Sequence, residues 1–207
     1  MSADTPSQRA LKIAVVGGGP GGLYFAILMK QANPRHEVTV FERNRPDDTF
    51  GFGVVFSDET LGNFQIADRR SYDAITGAFA YWSAIDVHVR GQIIRSDGHG
   101  FCGLERKTLL FILQDRAREL GAQLHFGTEV DVAQLKGYDL IVAADGINSR
   151  TREQYKDHFR PLVDMRKNYF CWLGSTKSLP AFTFAFKENV HGIWILGAYQ
   201  YKAGHST

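Results

Sequence analysis

The sequence predicts an α/β fold built on a doubly wound parallel sheet, and three observations carry that expectation. Residues 11–16 (Leu-Lys-Ile-Ala-Val-Val) form a strand-like apolar run that breaks into a glycine loop at 17–22. Apolar segments of strand length then alternate with segments of helical periodicity, the order in which crossover helices join parallel strands. Finally, the run Leu140-Ile141-Val142-Ala143-Ala144 stops at Asp145-Gly146. Such continuous apolar character is expected of a strand buried on both faces.

The elements follow in order. The loop Gly17-Gly18-Gly19-Pro20-Gly21-Gly22 places Gly17, Gly19 and Gly22 in G-x-G-x-x-G spacing. In such a loop the first glycine makes the tight turn, the second lets backbone approach a pyrophosphate, and the third lets the helix pack on the strand. The helix at 22–31 is apolar almost all round, as a helix buried between sheet and neighbours should be, and Asn33-Pro34 ends it. A second strand at 37–41 stops at Glu42, at the spacing where a carboxylate can accept both hydroxyls of an adenosine ribose. Strand, loop, helix and acid in register define a Rossmann-like site for a dinucleotide.

Residues 43–57 read as a turn-rich stretch containing Gly51-Phe52-Gly53-Val54. Helical patterns follow at 58–64 and 71–79, then a hairpin at 85–96 that turns at Arg90-Gly91. A glycine-rich link at 97–104 leads to the clearest helix, 107–120, with Leu109, Leu110, Leu113, Ala117 and Leu120 on one face and Gly121 as its C′ residue. Arg106 opens this helix, a poor place for a cation unless an anion sits there. It is either such a ligand-facing arginine or an exposed one. Strands are expected at 123–126 and 140–144, and Ser149 can cap a helix after Asp145-Gly146. That Asp-Gly pair is either an ordinary strand-to-helix turn or a ligand contact at the carboxyl edge of the sheet. Further strands are expected at 169–174, 182–186 and 192–201, with Phe182, Phe184 and Phe186 giving one face an aromatic stripe that suits core packing or a pocket wall.

Composition limits the function. The 207 residues are 44% apolar and 22% charged, with 24 Lys+Arg against 22 Asp+Glu for a net charge of +2. These are ordinary globular values, and the scattered cations leave no nucleic-acid footprint. Residues 1–10 lack the apolar core of a signal peptide, and no apolar run is long enough to span a bilayer. Cys102 and Cys171 belong to no local pairing motif, which suits a reducing compartment, so a cytoplasmic location is expected. Seven histidines form no H-E-x-x-H or Cys/His array, so no metal site is expected. His99 and His205 read as loop histidines exposed to solvent.

Taken together, Gly17-x-Gly19-x-x-Gly22 with Glu42, then Arg106, then Asp145-Gly146-x-x-Ser149-x-x-Arg152 resemble the FAD-dependent class A aromatic hydroxylases. The stretches 41–46, 51–58, 168–174 and 182–188 look closer to the salicylyl-CoA 5-hydroxylase and anthraniloyl-CoA monooxygenase group. The resemblance implies FAD as resident cofactor, contacted by Gly17, Gly19, Pro20, Gly22, Glu42, Arg43, Gly53, Val54, Arg106, Asp145 and Gly146. It also implies NAD(P)H as co-substrate and O2 as oxidant, with a flavin hydroperoxide hydroxylating an aromatic ring, carried as a CoA thioester or of another kind such as an indole. The implied architecture is an FAD-binding fold from 1–80 and 97–160, into which an incomplete antiparallel substrate sheet, 81–96 and 161–207, is inserted. The family's Gly-Asp motif does not occur in these residues, so the chain is expected to be part of a longer protein and inactive by itself.

Four other functions share some of these features. An NAD-linked dehydrogenase would continue with a helix and third strand instead of the glycine-rich stretch at 51–57. A dithiol flavoprotein reductase needs a cysteine pair near the flavin, and a flavin halogenase a Trp-x-Trp signature. A non-catalytic FAD-binding module needs none of these.

Overall fold

The computed structural model describes residues 9–207, which divide into two compact units. The first comprises residues up to 48 together with 110–167, and the second comprises 49–109 with 168–207.

In the first unit, β1 (Lys12–Val16), α1 (Pro20–Ala32) and β2 (Glu37–Phe41) are followed, after the intervening second-unit segment, by β8 (Gln123–His125) and β9 (Leu140–Ala143). The strands form one parallel sheet in the order β8-β2-β1-β9. The alternation of strand and helix expected from the sequence is thus realised as a Rossmann-type sheet. Ile13, Ala14 and Val15 have no exposed surface, and α1 buries Leu23, Ala26 and Ile27 completely. Each large side chain so buried stabilises the fold by roughly 1.5–3 kcal/mol.

Lys30 is buried too, which the apolar reading of this helix did not anticipate. Its ammonium donates to the carbonyls of Pro34 (2.6 Å) and His36 (2.9 Å), so it shapes the turn between α1 and β2 at the helix end where a cation is favoured.

Helix α4 (Arg106–Glu119) presents Leu110, Leu113 and Ala117 inward, and Gly121 at φ +85° ends it as expected. Strand β9 departs from the expectation of burial on both faces. Leu140 is 39% exposed, and among the described residues β9 is an edge strand that pairs with β1 alone. An apolar run records only that a strand is meant to be covered. Position in the sheet depends on which segments pair beside it. After β9 come α5 (Arg150–Gln154) and α6 (Lys156–Phe159), the first capped by the Ser149 hydroxyl accepting from the Arg152 N–H.

The second unit contains β3 (Gly53–Ser57), α2 (Asp58–Ala67), α3 (Arg69–Thr76), β4 (Ala80–Trp82), β5 (Ile85–Val89), β6 (Gln92–Ser96) and β7 (Phe101–Glu105), then β10 (Phe182–Asn189), β11 (Gly192–Ala198), β12 (Gln200–Lys202) and β13 (His205–Ser206). The hairpin β5–β6 turns at Arg90-Gly91 as expected. A bidentate pair between Arg95 and Asp86, with both contacts at 2.7 Å, fixes its register. β10 lies between β11 and β5, antiparallel to the first and parallel to the second, so this sheet is mixed.

Three expectations fail here. Residues 53–57 and 101–105 are strands, although the sequence suggests a turn-rich stretch and a link. They pair with each other, and β7 also pairs with β4. Gly103 obscures β7 in the sequence, yet Trp82 and the Gln200 carbonyl occupy the place its side chain would take. Residues 169–174 form no strand: among the described residues, the pairing in this stretch is one bridge from Ser175 to Ser206. His99 is half-buried and not solvated: its ring contacts the Ser96 hydroxyl at 2.8 Å and tilts against Phe101. No described helix is long and apolar enough to cross a membrane.

Candidate functional site

The site in the first unit is built where β1 and β9 end. Gly17 adopts φ +110°, and a Cβ there would strike the Ala144 carbonyl. At Gly22 a Cβ would strike the Gly17 carbonyl, so helix and loop can meet only with glycine at both positions. Ala144 is itself bound to β1, its N–H donating to Val16 O at 2.7 Å. The glycine loop and the Ala144-Asp145 corner are thereby held side by side.

Gly19 differs from these two, because a Cβ there would meet nothing within 4 Å. It is the N-cap of α1 and supplies no side-chain cap, Pro20 follows at the first helical position, and the first turn contains no acidic residue. The helix start therefore presents uncapped N–H groups and positive dipole to open space, the arrangement that takes phosphate. A pyrophosphate fits this cradle.

Glu42 follows β2 and faces the loop. One carboxylate oxygen accepts from Gly18 N at 2.7 Å, and the other accepts from the backbone and side-chain nitrogens of Asn44, each at 2.8 Å. Three of about four acceptor positions on a carboxylate are then used, leaving one for a ribose hydroxyl. Accepting both hydroxyls requires Asn44 to release its oxygen. Asn44 is a positioning residue that spacing alone could not reveal. Its own carbonyl accepts from Gly127 N at 3.0 Å, so its place depends on a segment far along the chain. Arg43 is half exposed and stands 4.0 Å from Glu129.

Asp145 is turned into its own corner. Ser149 Oγ donates to one oxygen at 2.7 Å, while Thr151 N and Oγ1 donate to the other at 3.1 Å. Burial pushes its acidity down, but these bonds outweigh it and hold the carboxyl below its ordinary pKa. Gly146 follows at φ +80° with open space around it.

Gly53, Val54 and Arg106 belong to the second unit. Gly53 is buried, its carbonyl accepting from the Tyr199 hydroxyl at 3.0 Å. Arg106 N donates to Phe52 O at 2.9 Å. Its side chain makes no ion pair among the described residues, and its Nε is buried without an acceptor. The neighbouring Glu105 is engaged elsewhere, by Thr108 at 2.8 Å and Lys202 at 3.2 Å.

Comparison with known proteins agrees with this geometry. A family model for an NAD(P)-binding Rossmann-like domain matches residues 15–52. The tetrameric form of 2-methyl-3-hydroxypyridine-5-carboxylic acid oxygenase superposes with a TM-score of 0.74 at 17% identity, covering 96% of this chain and 57% of that one, which speaks to the fold. Over most of its length the chain is similar to proteins named as aromatic hydroxylases and monooxygenases. Among these, it is 45% identical to a salicyloyl-CoA 5-hydroxylase from a Streptomyces species, over 95% of this chain and 38% of the relative. It is 32% identical to the 3-hydroxy-4-methyl-anthranilyl-(aryl-carrier protein) 5-monooxygenase of Streptosporangium sibiricum, over 95% of this chain and 56% of that protein. The chain thus spans less than two thirds of the length of these relatives.

Proposed function

We propose that the complete protein is an FAD-dependent monooxygenase that hydroxylates an aromatic ring carried as an acyl thioester. The observation that carries this reading is the open, uncapped start of α1 with Glu42 in register beside it. The names of the two relatives supply the substrate class: one is a hydroxylase of salicyloyl-CoA, the other of an anthranilyl group on a carrier protein.

The overall change is balanced by two co-substrates. A ring C–H, O2, NAD(P)H and a proton give a ring C–OH, water and NAD(P)+. When bound, FAD takes the hydride from NAD(P)H and activates O2, which no side chain here can do. The chain's own residues bind and orient. The α1 N-terminus receives the pyrophosphate, Glu42 a ribose hydroxyl, and Gly53, Val54, Arg106 and the Asp145-Gly146 corner complete the cofactor contacts. On the same proposal, residues 1–80 and 97–160 serve FAD and 81–96 with 161–207 serve the substrate, in a cytoplasmic enzyme.

The test is direct. Full-length protein, purified and saturated with FAD, is mixed with NADH or NADPH, O2 and salicylyl-CoA or 2-aminobenzoyl-CoA. Hydroxylated thioester formed in proportion to NAD(P)H consumed is expected. Failure to acquire a flavin spectrum on addition of FAD would refute the cofactor assignment. Flavin reduction without product from either thioester would refute the substrate class alone.

A further inference from the structure

At the amino end of the parallel sheet, away from the glycine loop, the late start of β8 leaves a notch. β8 pairs with β2 from Thr39 onward, so among the described residues Glu37 and Val38 have no strand beside them on that side. The notch is a cavity of about 650 Å³, and every residue that lines it belongs to the first unit. That volume is within the range of small-molecule sites. Lys30, at this end of α1, is ten helical residues from Pro20 at the other, about 15 Å along the axis. The cavity is therefore distinct from the pyrophosphate cradle.

Two nine-tenths-buried side chains stand in its wall, Lys30 at 7% exposure and His36 at 6%. Each has a structural tie. Lys30 donates to the Pro34 and His36 carbonyls, and His36 Nδ1 accepts from the Leu11 N–H at 2.9 Å. An Nδ1 that accepts puts the ring proton on Nε2. These ties account for the burial but leave one donor on each residue, the third ammonium proton and the Nε2–H. Neither has an acceptor among the described residues, and Lys30 meets no carboxylate there. A buried cation without an anion is costly, and a buried donor without an acceptor is too.

The rest of the lining indicates what would satisfy them. Lys12 and Arg35 bring the lining cations to three, against Glu37 as the acid. Lys12 also joins this cationic end to an aromatic wall, its ammonium standing 5.2 Å over the Tyr138 ring. Phe41 continues the wall, stacked on His125 with centroids 5.6 Å apart and meeting Tyr138 edge-on at 6.4 Å. Glu37 and Phe41 are four residues apart on β2, about 13 Å at the rise of a strand. A ligand that uses both ends is thus elongated, with its charge at one end and a ring at the other.

We propose that this cavity is a second ligand site, which takes a phosphate monoester carrying a flat ring, the size of a mononucleotide. Lys30 and His36 donate to the phosphate, Lys12 adds charge, and the ring lies against the wall of Phe41, His125 and Tyr138. A doubly charged phosphate suits three cations and one acid better than a singly charged carboxylate does. The inference is independent of the FAD reading.

The test is calorimetric titration of full-length, FAD-saturated protein with AMP, ribose 5-phosphate and inorganic phosphate. FAD is present to fill the α1 N-terminus; a protein that takes up no flavin is titrated without it, so the two readings fail separately. AMP is expected to bind at least about fivefold more tightly than ribose 5-phosphate, because its base stacks on the wall. His36→Asn keeps an acceptor for Leu11 N and removes the Nε2 donor, and should weaken AMP about tenfold. Lys12→Gln, at an exposed position, should weaken it about twofold to fivefold. Thermal melts without ligand check that each variant folds, and if His36→Asn does not, Lys12→Gln and Lys12→Glu decide the matter. No binding of AMP at millimolar concentration overturns the inference. So does wild-type affinity for AMP in the folded variants, which would place the binding elsewhere. Ribose 5-phosphate bound as tightly as AMP overturns the ligand class.

Discussion

Glu42 does two things that a single substitution can separate. Its carboxylate accepts from Gly18 N at 2.7 Å and from Asn44 N and Nδ2 at 2.8 Å, so it braces the glycine loop before any ligand arrives. Hydrogen bonds to a charged group contribute roughly 1.5–3 kcal/mol each in favourable cases, but these donors can rehydrate when the acceptor is lost, so they do not add. We expect Glu42→Ala to cost the flavin-free protein about 1.5–3 kcal/mol, a fall in Tm of roughly 3–12 °C for a domain of this size. Separately, the loss of the remaining acceptor position should weaken FAD about tenfold to a hundredfold. Glu42→Gln sharpens the test, because the amide NH2 must then face a donor on one side or the other. It should be hardly better than alanine, despite its shape. The assay is a thermal melt of flavin-free protein beside a fluorescence titration with FAD. Unchanged melting of both variants would show that the loop does not lean on Glu42. The bracing argument would then be wrong whatever happens to affinity.

Two further outcomes follow from particular groups. Asp145 has a folded pKa below its ordinary value of 3.8, so its bonds from Ser149 and Thr151 stabilise the fold fully above that pH and are lost as pH falls through the lower folded value. Wild-type protein should therefore lose more stability than Asp145→Asn between pH 5 and roughly pH 2–3 in urea unfolding, and equal losses would show that the corner contributes nothing. Burial pushes the Cys102 thiol up to about 11, whereas Cys171 lies exposed to solvent. A thiol reagent at pH 8 should modify one cysteine in the native protein and two after unfolding; rapid modification of Cys102 in the native state would mean that β7 opens more readily than its packing allows.

How much of this was legible in the sequence depended on the range of the cause. The glycine loop was legible because its requirements are local: Gly17 needs a positive φ, and Gly22 must pass the Gly17 carbonyl five residues away. Glu42 was legible because a strand, a helix and a strand of ordinary length bring it back to the loop. Asn44 was not, since its place is set by Gly127, on a segment whose pairing beside β2 no local pattern announces. β7 was missed for a related reason. Its glycine lowers strand propensity, and that glycine is required by Trp82 and Gln200, neither of which is near it in sequence.

Asp145 shows a subtler limit. The Asp-Gly corner and the Ser149 cap were both legible, and the two readings of the corner, as a turn or as a ligand contact, stood side by side. The structure joins them, because Asp145 accepts from Ser149, and Ser149 in turn accepts from Arg152 N to start α5. A carboxylate engaged by three donors can still offer a ligand one lone pair, but it cannot swing toward that ligand without uncapping its own helix. Any contact it makes must therefore be made where it already stands, beside the Ala144 carbonyl that faces Gly17. The same holds for Glu42 and Asn44. In both halves of this corner the acidic residue is fixed before a ligand binds, which lowers the ordering cost of binding and leaves correspondingly little freedom to accept a ligand of different shape.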